Sequence, residues 1–305
     1  MKNSFQQKTG LLLAALCVVL CTQGRAQQFN IATYNLRYAN QGDSANGNGW
    51  GQRLPVIATM VQFYGWDVFG TQEGLYSQLQ GLQQSLSGYQ YIGIGREDGR
   101  HAGEHSAIFY RVDKFEVLEK GDFWLSANTA VPNKGWDAVL PRICTWARFK
   151  EKSTGFTFYF YNLHMDHVGV QARAESAKLI LAKIQSMPAN TPVVLTGDFN
   201  VDQTSESYTL LNTSGLLHDA YQLSPVKLAT TSTFNGFNPN QQGNSRIDHI
   251  FVTSHFTIAR YGILTDSYRA AKTPAEAAAC PASKDAFVAR LPSDHFPVMV
   301  QAMHP

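Results

Sequence analysis

Cysteine is scarce in this 305-residue chain: there are four, and two of them (Cys17 and Cys21) fall in the first 26 residues. That scarcity excludes a disulfide-stapled fold, which a chain long enough to bury a large core does not need. No C-x-x-C or H-E-x-x-H is present to hold zinc through nitrogen and sulfur, and no G-x-S-x-G elbow to raise a serine nucleophile. A basic excess is missing as well. Lys and Arg number 25 against 23 Asp and Glu, whereas general nucleic-acid binders carry positive charge to neutralise phosphates. Beyond the first residues no apolar run is long enough to span a bilayer.

What is present begins with "MKNSFQQKTGLLLAALCVVLCTQGRAQQ". Lys2 and Lys8 precede a short apolar core, and Gly24-Arg25-Ala26 supplies small residues at a cleavage position, the pattern of a secretory leader over residues 1–26. Leu20 stands before Cys21 where lipidation wants a small residue, so an exported, periplasmic or secreted product without a lipid anchor is expected. Residues 27–305 are expected to form one domain, and the chain to act as a monomer. The leader takes three basic and no acidic residues with it, leaving 22 against 23 and a formal charge of −1. Cys144 lies in the strand-like run "PRICTWARF", where a buried free thiol is the expected state; a Cys144–Cys280 disulfide is the alternative.

Several strand-like segments end or begin in polar residues: "FNIATYNLR", "WDVFGTQE", "FTFYFYNLHMDH", "PVVLTGDFN", "SRIDHIFVT" and "LPSDHFPVMV". In "GDFN" a period of two predicts Asp198 and Asn200 on one face and Phe199 on the other. Helical spacing marks Ile57, Met60, Val61 and Tyr64; Leu75, Leu79, Leu82 and Leu86 before Gly88; and the stretch from Ala172 to Met187, ahead of Pro188. Alternating strands and helices predict a layered α/β fold. The strand-rich centre from Tyr89 to Phe160 predicts antiparallel pairs, and "IATYN" beside "VVLTGDFN" hints at a duplicated βα unit. Thr265 to Pro292, rich in alanine and small polar residues, reads as a loop or a short helix.

Strand ends converge on one rim of a sheet, so Asn35, Glu73, His164, Asp198, Asn200, Asp248, Asp294 and His295 form a candidate constellation. Each alone is an ordinary turn or core residue. Together they match one chemistry. Glu73, Asp294 and Asn35 offer oxygen ligands for Mg²⁺ or Mn²⁺. Asp198 and Asn200 suit the handling of a nucleophilic water, and His164 and His295 suit charge on a phosphoryl group, with Asp248 fixing an imidazole tautomer. The kit is that of phosphate-ester hydrolysis. Asp166 and His167 either extend the site or sit solvated on a turn. Trp50, Trp124 and Trp136 are read as core in preference to stacking platforms.

In order along the chain, "YNLR", "GTQE", "IFYR", "PRICTWARF", "NLHMDH", "TGDFN", "STFNGF", "RIDHIFV" and "SDHFPV" resemble the endonuclease/exonuclease/phosphatase superfamily, and within it the secreted bacterial branch. That group includes deoxyribonucleases, sphingomyelinases, inositol-polyphosphate phosphatases and deadenylases. The resemblance implies a four-layered α-β-β-α sandwich of two mixed sheets with helices outside. It implies that Glu73 binds a metal beside Asn35, with Asp294 near it, and that Asp198 and Asn200 position water. It further implies that His295, oriented by Asp248, and His164 serve the phosphate, and that Arg142 contacts it. Arg37 stands where many members carry an acidic residue, which argues against a second metal and for a cationic contact to substrate. The expected activity is hydrolysis of a small-molecule, lipid-headgroup or sugar phosphate. A nuclease is the alternative that the charge does not favour, and a non-catalytic binding module a lesser one.

Overall fold

Alternation along the central strands decides which side chain faces which layer. In the computed structural model, which describes residues 27–228, 231–279 and 285–304, Val194 joins the cluster between the sheets while Val193 and Leu195 join the cluster beneath helices. On the facing strand Ile31 points inward, and Ala32 and Tyr34 outward. A strand buried on both faces must be apolar throughout, which is how "NIATY" and "VVL" read.

A seven-stranded sheet runs in the order Val226–Leu228, Thr257–Ile263, Val298–His304, Gln27–Asn35, Val68–Gln72, Ile108–Arg111, Tyr89–Ile92. A six-stranded sheet runs His218–Asp219, Asp248–Val252, Val193–Asp198, Thr157–His164, Ile143–Glu151, Phe115–Trp124. Helices Trp50–Phe63 and Tyr76–Ser85 cover the first sheet through Ile57, Met60, Val61, Leu79 and Leu82; helices Val170–Gln185 and Glu206–Asn212 cover the second through Ala177, Ile180, Ile184, Tyr208 and Leu211. The result is a four-layered α-β-β-α sandwich with mixed sheets. Tyr89–Phe160 is antiparallel, as its strand-rich sequence implies.

The two similar segments occupy matching places. Gln27–Asn35 pairs in parallel with Val68–Gln72 and antiparallel with Val298–His304. Val193–Asp198 pairs in parallel with Thr157–His164 and antiparallel with Asp248–Val252. Beneath the rim a buried polar network joins the sheets: Gln72 Nε2 donates to Asn162 Oδ1 at 2.7 Å, and Asn162 Nδ2 donates to the carbonyls of Thr71 and Ala107, each at 2.9 Å. Gly70 permits that approach, since a Cβ there would lie 2.2 Å from Asn162 Oδ1.

The Thr265–Pro292 stretch departs from expectation. Besides the helix Pro274–Ala279 it holds an antiparallel ribbon of Tyr268–Ala271 with Phe287–Arg290. Its alanines hide the strand alternation, and Arg290, donating to Asn46 O at 3.0 Å and Glu276 Oε2 at 2.7 Å, ties the ribbon down. Cys144 is buried and free; Cys280 and the leader segment lie outside the described residues. Among the described residues no helix is long and apolar enough to cross a membrane.

Candidate active site

Strand register brings the polar ends together. Asp198 closes its strand level with His164 on one neighbour and Asp248 on the other, and Asn35 lies level with Gln72, the residue before Glu73. Asp294 and His295 precede the antiparallel Val298–His304, so they arrive at the same rim. A cavity of about 700 Å³ opens there, lined by Glu73, Asp294, Asp198, Asn200, His164 and His295, with Arg37 and Arg142 on its walls. Asn35 and Asp248 stand just behind it.

The chain turns sooner after Asp198 than a period of two predicts. The strand ends at Asp198, Phe199 N–H donates to Ile247 O at 2.8 Å, and Asn200 takes a left-handed φ of 51°. Asn200 still reaches the cavity, because the turn, not the pleat, aims it. Arg37 and Glu73 also adopt left-handed φ values, 54° and 62°. Such conformations cost non-glycine residues energy and concentrate at sites that hold a working geometry.

Behind the rim, Arg53 is fully buried and donates to the carbonyls of Leu36 at 2.5 Å, Arg37 at 2.9 Å, Asn48 at 2.8 Å and Pro292 at 3.1 Å. Four carbonyls satisfy its charge and fasten the Arg37 and Asp294 segments to one helix. Asn35 Nδ2 donates to both Glu73 Oε1 and Asp198 Oδ2, each at 3.0 Å, and its Oδ1 accepts from Arg37 N–H at 2.9 Å. The amide therefore joins the Glu73 carboxylate to that of Asp198.

His295 sits between two carboxylates: Nδ1 is 2.9 Å from Asp248 Oδ2, and Nε2 is 3.7 Å from Asp198 Oδ2. Burial opposes a charged ring, but Asp248 and Asp198 outweigh it and hold the imidazole up to about 10. Burial, with the neighbouring Asp248 charge, raises Asp198 to about 7, against the pull of His295 and the bonds from Asn35 and Asn200. His164, whose Nε2 is 3.5 Å from Asp198 Oδ2, is driven well below its usual value by burial and then by Arg142 and Arg96, so its ring is neutral.

Two donor sets bear on metal binding. Asp198, Asp248 and His295 hold donor atoms within 4.8 Å of one another. Both imidazole nitrogens there already face a carboxylate, so the trio is better described as a bridged ion pair. Glu73 and Asp294 form the second set. Burial and the Glu73 charge raise Asp294, against the pull of His295, of Arg37, whose Nη1 is 3.5 Å from Asp294 Oδ2, and of Arg53. An all-oxygen, charge-crowded pair fits a hard divalent cation.

Arg142 and its surroundings extend the site further. Asp166 is buried: its Oδ1 accepts from Arg142 Nε at 3.2 Å, and its Oδ2 from the N–H groups of Val168 at 3.1 Å and Gly169 at 2.8 Å. The solvated-turn reading therefore fails for Asp166. His167 is exposed, lines the cavity and accepts from Arg142 Nη2 at 2.8 Å. Arg96 and Glu104 also line the cavity; the sequence, read there only as part of a strand-rich centre, did not mark them. Trp124 is core, Trp50 lies beside Arg53 and Trp136 is partly exposed; none of the three lines the cavity.

Residues 32–295 match the model of the Endonuclease/Exonuclease/phosphatase family. The chain belongs to that family. A solved endonuclease/exonuclease/phosphatase family protein of Bacteroides thetaiotaomicron is 53% identical, with a TM-score of 0.87 over 92% of this chain and 99% of that one. A mannosyl-6-phosphatase of the same organism is 54% identical, with a TM-score of 0.84 over 90% of this chain and 99% of that one. An uncharacterised protein of Acanthamoeba polyphaga mimivirus is 25% identical over 171 residues, 53% of this chain; the match spans 63% of the viral protein's length. The family resemblance read from "TGDFN" and "SDHFPV" thus agrees with the match over residues 32–295.

Proposed function

We propose that this protein is an exported, divalent-metal-dependent phosphatase that hydrolyses a small phosphate ester, a sugar phosphate above all. The observation that carries the reading is the meeting of Asp198, His295 backed by Asp248, and the Glu73 and Asp294 carboxylates at one cavity. The 54% identity to the mannosyl-6-phosphatase supports the sugar phosphate, and the leader-like residues 1–26 support export.

Asp198, raised to about 7, is matched to take a proton from water near neutral pH. Asn200 beside it helps hold that water. The protonated His295 ring presents positive charge to the non-bridging phosphoryl oxygens, while Asp248 keeps the ring charged and fixed. Neutral His164 supplies a hydrogen bond without adding charge. Glu73 and Asp294 would hold Mg²⁺ or Mn²⁺, which when bound supplies Lewis-acid neutralisation of the phosphate. Arg37 and Arg142, which also line the cavity, offer guanidinium donors to the substrate, the charge of Arg142 being balanced by Asp166.

The test is phosphate release from mannose 6-phosphate, beside single- and double-stranded nucleic acid, after chelation and re-addition of metal. Mg²⁺ or Mn²⁺ should restore activity, and Glu73→Gln should need more metal for half-saturation by about tenfold or more, as for a lost charged ligand. Full activity without metal would refute the metal dependence. A strong preference for duplex, with a steep salt slope, would favour a nuclease.

A further inference from the structure

The cavity wall that carries Arg96 and Glu104 has no part in the chemistry derived above, yet it is built with care. Arg96 Nη1 lies 2.6 Å from Glu104 Oε2, and Nη2 lies 2.9 Å from Oε1, a two-point ion pair. The hairpin holding them is braced. Arg96 N–H donates to Glu104 O at 3.0 Å, Gly95 N–H to Arg100 O at 3.0 Å, and Trp124 Nε1 to Arg96 O at 2.8 Å. A Cβ on Gly95 would lie 2.2 Å from Ala102 O, so the hairpin closes tightly. Glu104 Oε2 is 3.9 Å from His164 Nδ1, which sets this wall directly beside the reacting centre.

Charge balance indicates what it would bind. Arg96 is matched by Glu104, and Arg142 by Asp166, so the two arginines contribute no net positive charge. A second phosphate would want an excess of cations here. A balanced wall that alternates donors with acceptors suits neutral hydroxyl groups instead. His167 adds a donor of fixed identity. Its Nδ1 accepts from Arg142 Nη2, a group that can only donate, so the ring proton is on Nε2. In the same cavity Phe234 is 46% exposed, with its ring 5.1 Å from that of His295. Phe234, Leu140 and Ile247 add apolar surface to the same cavity. A pyranose, with hydroxyls on its edge and C–H groups on its face, matches both.

We propose that Arg96, Glu104 and His167 form a subsite for the hydroxyl groups of a neutral sugar leaving group and so determine which ester the enzyme selects. This rests on the phosphatase reading above. The experiment compares kcat/KM for mannose 6-phosphate and for phenyl phosphate, which has no hydroxyl, in the metal-loaded wild type and in Glu104→Gln, Arg96→Gln and His167→Ala. His167 is exposed, so that variant tests the subsite with the fold intact; thermal melts check the other two. The preference for the sugar ester should fall at least tenfold in each variant, through KM. An unchanged preference, whether both esters fall alike or neither falls, overturns the subsite; equal loss would make Glu104 act through His164 on the chemistry. A wild type that turns over neither ester refutes the phosphatase reading, and the subsite with it.

Discussion

The cavity has two halves made in different ways. Asp198, His164 and Asp248 hold their places by strand register, each level with its neighbour across a backbone ladder. Arg96, Glu104, Arg142 and His167 hold theirs by side-chain ion pairs and hairpin bonds. Asp198 and His164, with His295 beside them, are buried groups whose titrations are shifted, and burial shifts Arg96 and Glu104 as well. What sets the second half apart is pairing: Arg96 is matched by Glu104 and Arg142 by Asp166. Chemistry that needs fixed electrostatics sits on the rigid elements, while selection of the ester is left to segments that can vary without unfolding the sheets.

The sharpest way to test that division is at His295. His295→Ala and Asp248→Asn should each lower kcat by about a hundredfold or more, the usual cost of losing a charge-stabilising group. Their double variant should be little worse than His295→Ala, because Asp248 acts through the ring it bonds at 2.9 Å. Losses that simply multiply would show that the two carry separate functions.

A smaller effect belongs to the loop-borne half. Asp166→Asn keeps the shape but removes the charge facing Arg142 at 3.2 Å. A weakened charge-assisted bond of about 1.5–3 kcal/mol should raise KM roughly tenfold or more while kcat changes little. If kcat falls as far as in His295→Ala, the two halves are one machine and the contrast fails.

The smallest effect is on stability. His249, one register step from Asp248, faces away from the cavity, is fully buried and donates through Nε2 to Val201 O at 3.0 Å. Burial lowers its titration, while the unfolded chain takes up a proton below about 6.5. The unfolded state therefore binds more protons in acid, and this group's contribution to stability falls as pH drops below about 6.5, by at most about 1.4 kcal/mol per pH unit. Raised His295 tilts the other way, so the comparison of wild type with His249→Gln isolates the term. Urea midpoints at pH 7.5 and 5.5 should shift less in the variant; identical shifts would place the acid sensitivity elsewhere.

Much of this was legible in the chain. Strand-length apolar runs ending in Asp198, Glu73 and His164 marked strands whose ends meet, and helical spacing of Ile57, Met60 and Val61 marked a covering helix. These patterns are local: a strand or helix writes its period into a dozen consecutive residues. Asn200 was placed on the right cavity for an incomplete reason, since its left-handed turn leaves no mark in a period of two. The ribbon around Arg290 was hidden because alanine serves helix, loop and strand alike.

By itself the sequence determined a layered α/β fold, the order of the polar strand ends and the type of chemistry, because burial forces apolar periodicity and phosphate chemistry needs oxygen ligands beside imidazoles; the count of four layers came with the family resemblance. Only the tertiary structure decided that Asn35 links Glu73 to Asp198, that Arg53 anchors the rim through four carbonyls, and that Arg96 with Glu104 forms a cavity wall. Those facts depend on approaches between residues distant in the chain. A charged loop reads the same whether water or a cavity lies beside it, and which of the two does is settled when the sheets pack.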